Sequence, residues 1–173
     1  MIRQNIELTT HFNLHELTVT NNQAKQDANR DLTDEQVDKL CALARHGEAI
    51  REICGALPLR IHSAYRSPAL NSATVGASNT SQHPLCEAID FDVIGQDLET
   101  SFTLLWDAVR AGRLPLGQLI VEEAPRGTGV ARWIHCSAPG NLPPAKRGLI
   151  MRMLVGTDGK RQTTVLEQVR QPT

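Results

Sequence analysis

The chain has 173 residues, a formal net charge of -1 at neutral pH, 40% hydrophobic residues and only 3% aromatic residues. That length suits one core, so a single domain is expected, and near-neutral charge with so few rings excludes a nucleic-acid surface built on basic and stacking side chains. No apolar run reaches the roughly 18 residues of a membrane span.

The opening Met1-Ile-Arg-Gln-Asn-Ile-Glu-Leu8 is polar and lacks the apolar region of a secretory signal. Synthesis in the cytoplasm is therefore expected, with Cys41, Cys54, Cys86 and Cys136 as reduced thiols and no CxxC pair among them.

Thr33-Asp-Glu-Gln36 is a capping-box sequence, and Val37, Leu40, Leu43, Ala44, Ile50 and Ile53 follow near the helical period. A helix is predicted from about Thr33 toward Leu57, with Gly47 a point of weakness and Pro58 its stop. Leu59 to Ser63 reads as the first core strand, and Pro68 suits the first turn of a short helix. The loop Gly76-Ala-Ser-Asn-Thr-Ser81 leads to His83, and Ala88 to Val93 reads as a strand.

Leu98 to Ala111 is the second main helix, with Phe102, Leu105, Trp106 and Val109 on one apolar face and Gly112 after its end. Trp106 is then a core residue. Gln118 to Glu122 and Arg132 to Ser137 are expected as an antiparallel pair joined by the Pro125-Arg-Gly-Thr-Gly129 loop.

Beyond Pro139 the composition shifts. Leu149 to Val155 and Thr163 to Val169 read as strands around Thr157-Asp-Gly-Lys160, where Asp-Gly is a hairpin signal. Residues 143 to 173 hold six Lys or Arg against two acids, a local charge of +4, read as a solvated face or an approach to anionic cell wall. The expectation is an α+β fold: one domain with a mainly antiparallel central sheet, helices on one side and a C-terminal β-hairpin extension. Residues 1-140 form the core and 141-173 the extension of the same domain.

Six residues separate His83 from Asp90, and His135 follows 45 residues after Asp90. A catalytic zinc takes three protein ligands of imidazole and carboxylate type and keeps a fourth position open. These three residues supply that number and type, although iron or manganese suits the same donors. A His-x6-Asp spacing is not specific by itself.

The company it keeps is specific: Ser63-Ala-Tyr-Arg-Ser-Pro68, Asn71, Ser81-Gln-His83, Ala88-Ile-Asp90 and Trp133-Ile-His135-Cys-Ser137, in that order. Over roughly residues 10 to 140 the chain resembles the D-Ala-D-Ala metallopeptidase family of peptidoglycan hydrolases. The resemblance implies that His83, Asp90 and His135 hold zinc, that Arg66 steadies a substrate carbonyl or carboxylate, and that Ser81 lines the substrate cleft.

Two positions depart from the family pattern. Cys86 stands where glycine is expected between His83 and Asp90, in a turn where glycine relieves a steric constraint, so either the turn differs or Cys86 adopts it. As a metal ligand Cys86 is superfluous beside three others. The carboxylate or histidine that family members place just before the last histidine is replaced by Arg132 and Trp133.

The segment Gly117-Gln-Leu-Ile-Val-Glu122-Glu123 resembles the Leu-Ile-x-Glu strand of the phage-type branch, which makes Glu122 the matching general base. Strand alternation puts Glu122 and Glu123 on opposite faces, so one of them at most serves the metal. The same alternation makes Cys136 beside His135 a poor thiol nucleophile. His62 shares a side with Arg66 and is read as an incidental strand histidine, or else as a neighbour of the ligands. His11, His15 and His46 have no site context.

Together these features imply a zinc peptidase that cuts a peptide bond in peptidoglycan stem peptides, working as a monomer without nucleic acid. A phage endolysin, made in the cytoplasm and acting on the wall after release, is the reading favoured by the phage-type strand. A D,D-carboxypeptidase or dipeptidase on soluble precursors is the close alternative, and a non-catalytic zinc-fold virion or binding module is the alternative from another class.

Overall fold

The structure, a computed structural model, describes residues 6–74, 76–140 and 142–170. Its main helices are α1 (Leu14–Leu17), α2 (Gln26–Arg30), α3 (Asp34–Ile53), α4 (Pro68–Ala73) and α5 (Leu98–Arg110). Its strands are β1 (Leu59–Ser63), β2 (Ala88–Val93), β3 (Gln118–Arg126), β4 (Gly129–Ser137), β5 (Leu149–Val155) and β6 (Arg161–Gln168).

All six strands form one sheet in the order β1-β2-β4-β3-β5-β6, antiparallel throughout except for the parallel β3–β5 pair. The α+β expectation is met. The C-terminal strands are continuous with the others in the same sheet, because β5 lies directly against β3.

Helix α3 starts as its sequence requires. The Thr33 side chain accepts from the Gln36 amide and the Gln36 side chain accepts from the Thr33 amide, a reciprocal cap that satisfies two otherwise orphaned donors. Leu40, Leu43, Ala44, Gly47 and Ile50 are its buried stripe. The helix ends at Ile53 rather than near Leu57, because Gly55 and Ala56 turn left-handed and the Ala56 amide returns to the Arg51 carbonyl at 2.8 Å. Gly47 does not weaken this helix without return: a Cβ there would lie 2.9 Å from Cζ of Phe12, so its absence lets the Phe12 ring seat against the helix.

Helix α5 is capped by Asp97, whose side chain accepts from the Thr100 amide at 2.9 Å. It buries Phe102, Leu105, Ala108 and Val109. Trp106 packs at the margin of the core, and its indole N–H donates to Glu167 on β6.

The period of two along the strands decides which face is which. Ile89, Phe91 and Val93 of β2, Leu119 and Val121 of β3, Ile134 and Cys136 of β4 and Ile150 of β5 join α3 and α5 in the main core. Each fully buried residue of this size contributes roughly 1.5–3 kcal/mol of transfer free energy. The intervening residues Asp90, Ile120, Glu122, Trp133 and His135 point to the other face and line a cleft of about 1180 Å³.

Two boundaries differ from expectation. The β3–β4 hairpin runs to Arg126 and resumes at Gly129, so Pro125, Arg126 and Gly129 are ladder residues and only Gly127 and Thr128 make the turn. Strand β6 begins at Arg161 instead of Thr163, because the Asp158 side chain accepts from the Lys160 amide and closes a tighter turn.

Candidate metal centre and substrate cleft

Strands β2 and β4 set Asp90 directly opposite His135, and the Asp90 Oδ1 lies 2.8 Å from His135 Nδ1. Gln82 introduces a short 3-10 turn, His83–Leu85, that brings in the third group. His83 Nε2 lies 3.2 Å from Asp90 Oδ2, and the two imidazole rings meet edge to face with centroids 5.2 Å apart. One donor atom from each of His83, Asp90 and His135 falls within 4.8 Å of the others, and all three residues are buried.

The donor chemistry fits a cation. His83 Nδ1 lies 2.6 Å from the Ala64 carbonyl, so it carries the proton and donates there. That leaves Nε2 as a lone pair, fully buried, without a hydrogen-bond donor and facing a carboxylate oxygen. Two acceptors set against each other in the interior are costly unless a positive charge lies between them.

Electrostatics follow from burial. Burial lowers the affinity of the His83 imidazole for a proton, and the charge of Asp90 only partly opposes this. For Asp90, burial works to raise its pKa, but the His83 and His135 rings outweigh it and hold the carboxylate well below its usual range. Burial works against protonation of His135 as well, yet the hydrogen bond and charge of Asp90 leave that ring raised.

Arg66 lies on the same side of the cleft, with Nη2 3.7 Å from Asp90 Oδ2 and Nε buried without a hydrogen-bond partner. Burial lowers its pKa, while Asp90 and Glu122 push back. Its backbone is held by a residue that sequence reasoning missed. Asn29, fully buried, donates to the carbonyls of Thr18 and Tyr65 at 2.8 and 3.1 Å and accepts from the Ser67 amide at 2.7 Å, bracketing Arg66 on both sides. Nothing in its local pattern singles out Asn29, because all three partners are distant in sequence.

Glu122 stands opposite Trp133 on the cleft face, half-buried, and its pKa is raised chiefly by burial. Glu123 turns away, and its carboxylate pairs with Arg132 Nε at 2.9 Å. Arg132 also donates to Glu99 of α5 at 2.8 Å, which makes it a clamp between strand and helix. Ser81 lines the cleft and its Oγ accepts from the His83 amide at 3.4 Å.

Cys86 resolves its alternatives in favour of the same turn: its φ is +58° and ψ +37°, the left-handed region that glycine ordinarily fills. Its side chain is buried in the core, where burial pushes the thiol up to about 12, and it lies outside the ligand cluster. Cys136 faces the core as well, against His46 at 3.6 Å. His11 pairs with Glu48, and neither His15 nor His46 lines the cleft.

His62 is a correction. The ring lines the cleft and is bonded to Asp92, so it is not an incidental strand histidine. Arg161, from β6, also lines the cleft and donates to the Gly76 carbonyl, which ties the C-terminal hairpin to the loop that leads to Ser81.

Among curated proteins no relative matches the chain. The model of the family described as Peptidase M15 matches residues 10–115, a span that includes Arg66, Ser81, His83 and Asp90 and ends before Glu122 and His135. With more than half its length matched and a buried His-Asp-His group able to hold a metal ion, the chain belongs to the peptidase M15 family of metallopeptidases.

Proposed function

We propose that this chain is a zinc-dependent peptidase that hydrolyses a peptide bond in peptidoglycan stem peptides, acting as a monomer and as a phage endolysin in host lysis. Residues 1–140 carry the peptidase core and 141–173 extend the same domain. The observation that carries the reading is the buried, unpartnered lone pair of His83 Nε2 facing Asp90 beside His135.

His83, Asp90 and His135 would hold the zinc ion, which when bound would supply Lewis-acid polarisation of the scissile carbonyl and a lowered pKa for the attacking water. Glu122 accepts the proton from the attacking water on its carboxylate and returns it to the leaving amine, a task helped by burial, which raises its pKa above that of an ordinary glutamate. Arg66 donates to the oxygen on which negative charge develops, from a buried position where a hydrogen bond counts for more than in water. Ser81 and Trp133 shape the cleft around the peptide.

Mass spectrometry of muropeptides released from purified sacculi tests this reading. New amino and carboxyl termini within the stem peptide are expected, and intact sacculi after incubation with the zinc-loaded chain would refute it.

A D,D-carboxypeptidase on soluble precursors is supported by a different observation. Arg66 and Arg161 line one cavity, and among the described residues no carboxylate pairs with Arg161, so the cleft suits a peptide with a free terminal carboxylate. Release of the terminal residue from soluble pentapeptide, with no action on sacculi, would select this reading.

A further inference from the structure

Strand β1 carries an irregularity that the metal centre does not require. Arg60 and Ile61 stand opposite Asp92 and Phe91, yet Ser63 stands opposite Asp90, so His62 is an extra residue in the ladder. A bulge of this kind re-aims a side chain: alternation from Arg60 already sets His62 on the face of Asp92, and the extra residue turns Ser63 to the same cleft beside it.

The His62 ring is held in place. His62 Nε2 lies 2.7 Å from Asp92 Oδ2, with the two side chains 33% and 34% exposed. Asp92 is two residues beyond the ligand Asp90 on the same face of β2, roughly 6.5 Å along the strand. That offset places the pair one or two residues along an extended peptide from the bond held at the metal centre, too far to serve the attacking water.

The chemistry of the pair selects its ligand. Nε2 bears the proton donated to Asp92, which leaves Nδ1 of a neutral ring as an acceptor, and among the described residues no hydrogen bond occupies it. With a neutral imidazole the pair carries one negative charge, and with a protonated imidazole it carries none. In neither state is it positive, so it suits an N–H donor or an ammonium group and disfavours a carboxylate.

We propose, on the peptidase reading of the cleft, that His62 and Asp92 form a specificity subsite for the side-chain ammonium of a diamino acid neighbouring the scissile bond. Arg161, on the edge strand β6 across the sheet from β1, lines the same cavity and is suited to anionic groups, so the cleft would orient the peptide by charge as well as by shape.

Calorimetric titration separates this subsite from the catalytic step. The zinc-loaded Glu122→Gln chain is titrated with the pentapeptide L-Ala-γ-D-Glu-L-Lys-D-Ala-D-Ala and with its side-chain N-acetyl derivative. A hydrogen bond to a charged group at a partly exposed site predicts about tenfold tighter binding of the free amine. Adding His62→Leu should reduce that preference to about twofold or less, while His62→Asn, which keeps an acceptor, should retain part of it. Equal affinity for the two peptides with His62 present, absence of binding to both, or a preference that survives His62→Leu would overturn the subsite. Zinc content and melting temperature of each variant separate loss of the subsite from loss of the fold. Hydrolysis of sacculi by the unaltered chain, measured separately, reports on the peptidase reading alone.

Discussion

Asp90 and His135 are direct cross-strand partners on β2 and β4, joined side chain to side chain at 2.8 Å although 45 residues apart in sequence. Antiparallel pairing puts opposite side chains on the same face at close range, so the sheet itself supplies two of the three residues of the candidate metal centre. His83 completes it from a loop anchored to the Ala64 carbonyl.

Removing a ligand should remove the metal. Asp90→Ala and His83→Ala are expected to weaken zinc binding by more than about a hundredfold, since even outer partners of metal ligands are worth 10–100-fold. Metal analysis after dialysis against a weak chelator measures this, and stoichiometric zinc in either variant would exclude that residue as a ligand.

The two neighbouring glutamates should behave oppositely. Glu122→Gln should keep zinc and lose roughly 10²–10⁴-fold in kcat, the range of a general acid–base group. Glu123→Gln breaks a partly exposed pair with Arg132 and should cost at most about 1 kcal/mol of stability with turnover retained. Near-normal kcat for Glu122→Gln, measured beside Glu123→Gln, would remove Glu122 as the base.

Asn29 is expected to act through Arg66. Asn29→Ala leaves the buried Thr18 and Tyr65 carbonyls and the Ser67 amide short of a partner, at roughly 1–3 kcal/mol for each group left unsatisfied. Denaturant unfolding should show that loss, and KM should rise as the backbone around Arg66 relaxes. Unchanged stability would mean that these groups find other partners.

His46 should make the chain acid-sensitive. Its folded pKa is lowered from 6.5 to about 4 by burial against the core. The unfolded chain therefore binds the proton first as pH falls below 6.5, and stability drops between pH 6.5 and about 4. Above pH 6.5 the group has no effect. The slope is at most about 1.4 kcal/mol per pH unit. Unfolding curves of His46→Gln should be flatter across this window than those of the unaltered chain, and identical slopes would refute the assignment.

Cys86 trades backbone strain for packing. Cys86→Gly relieves a left-handed residue but empties a buried side-chain site, two effects of about 1 kcal/mol each in opposite directions. Stability within about 1 kcal/mol of the unaltered chain and full zinc content are expected. In the native state a thiol reagent should leave Cys86 unmodified, because the thiol is buried and its pKa is raised to about 12. Loss of zinc in Cys86→Gly would give the thiol a place in the metal site.

The elements were legible wherever local chemistry decides them. The Thr33–Gln36 capping box, the strand Ala88–Val93 and the helix from Leu98 are where alternation, helical period and capping residues place them. The choice of Glu122 over Glu123 for the cleft face also follows from strand alternation, once Ile120 and His135 define that face. What escaped is non-local or depends on an interruption of the period. Asn29 acts on three groups from distant segments, and no composition signal announces the bulge that sets Ser63 beside His62 on the cleft face.

The sequence by itself determined the candidate donor set of His83, Asp90 and His135, because imidazole and carboxylate chemistry and the order of the motifs are written in residue identities. Only the tertiary structure decided that Asp90 and His135 face each other, that Cys86 takes the left-handed turn, and that the C-terminal hairpin reaches the cleft through Arg161. Register, bulges and the crossing of distant strands are set by the packing of the whole sheet against α3 and α5, and that free energy belongs to no single segment.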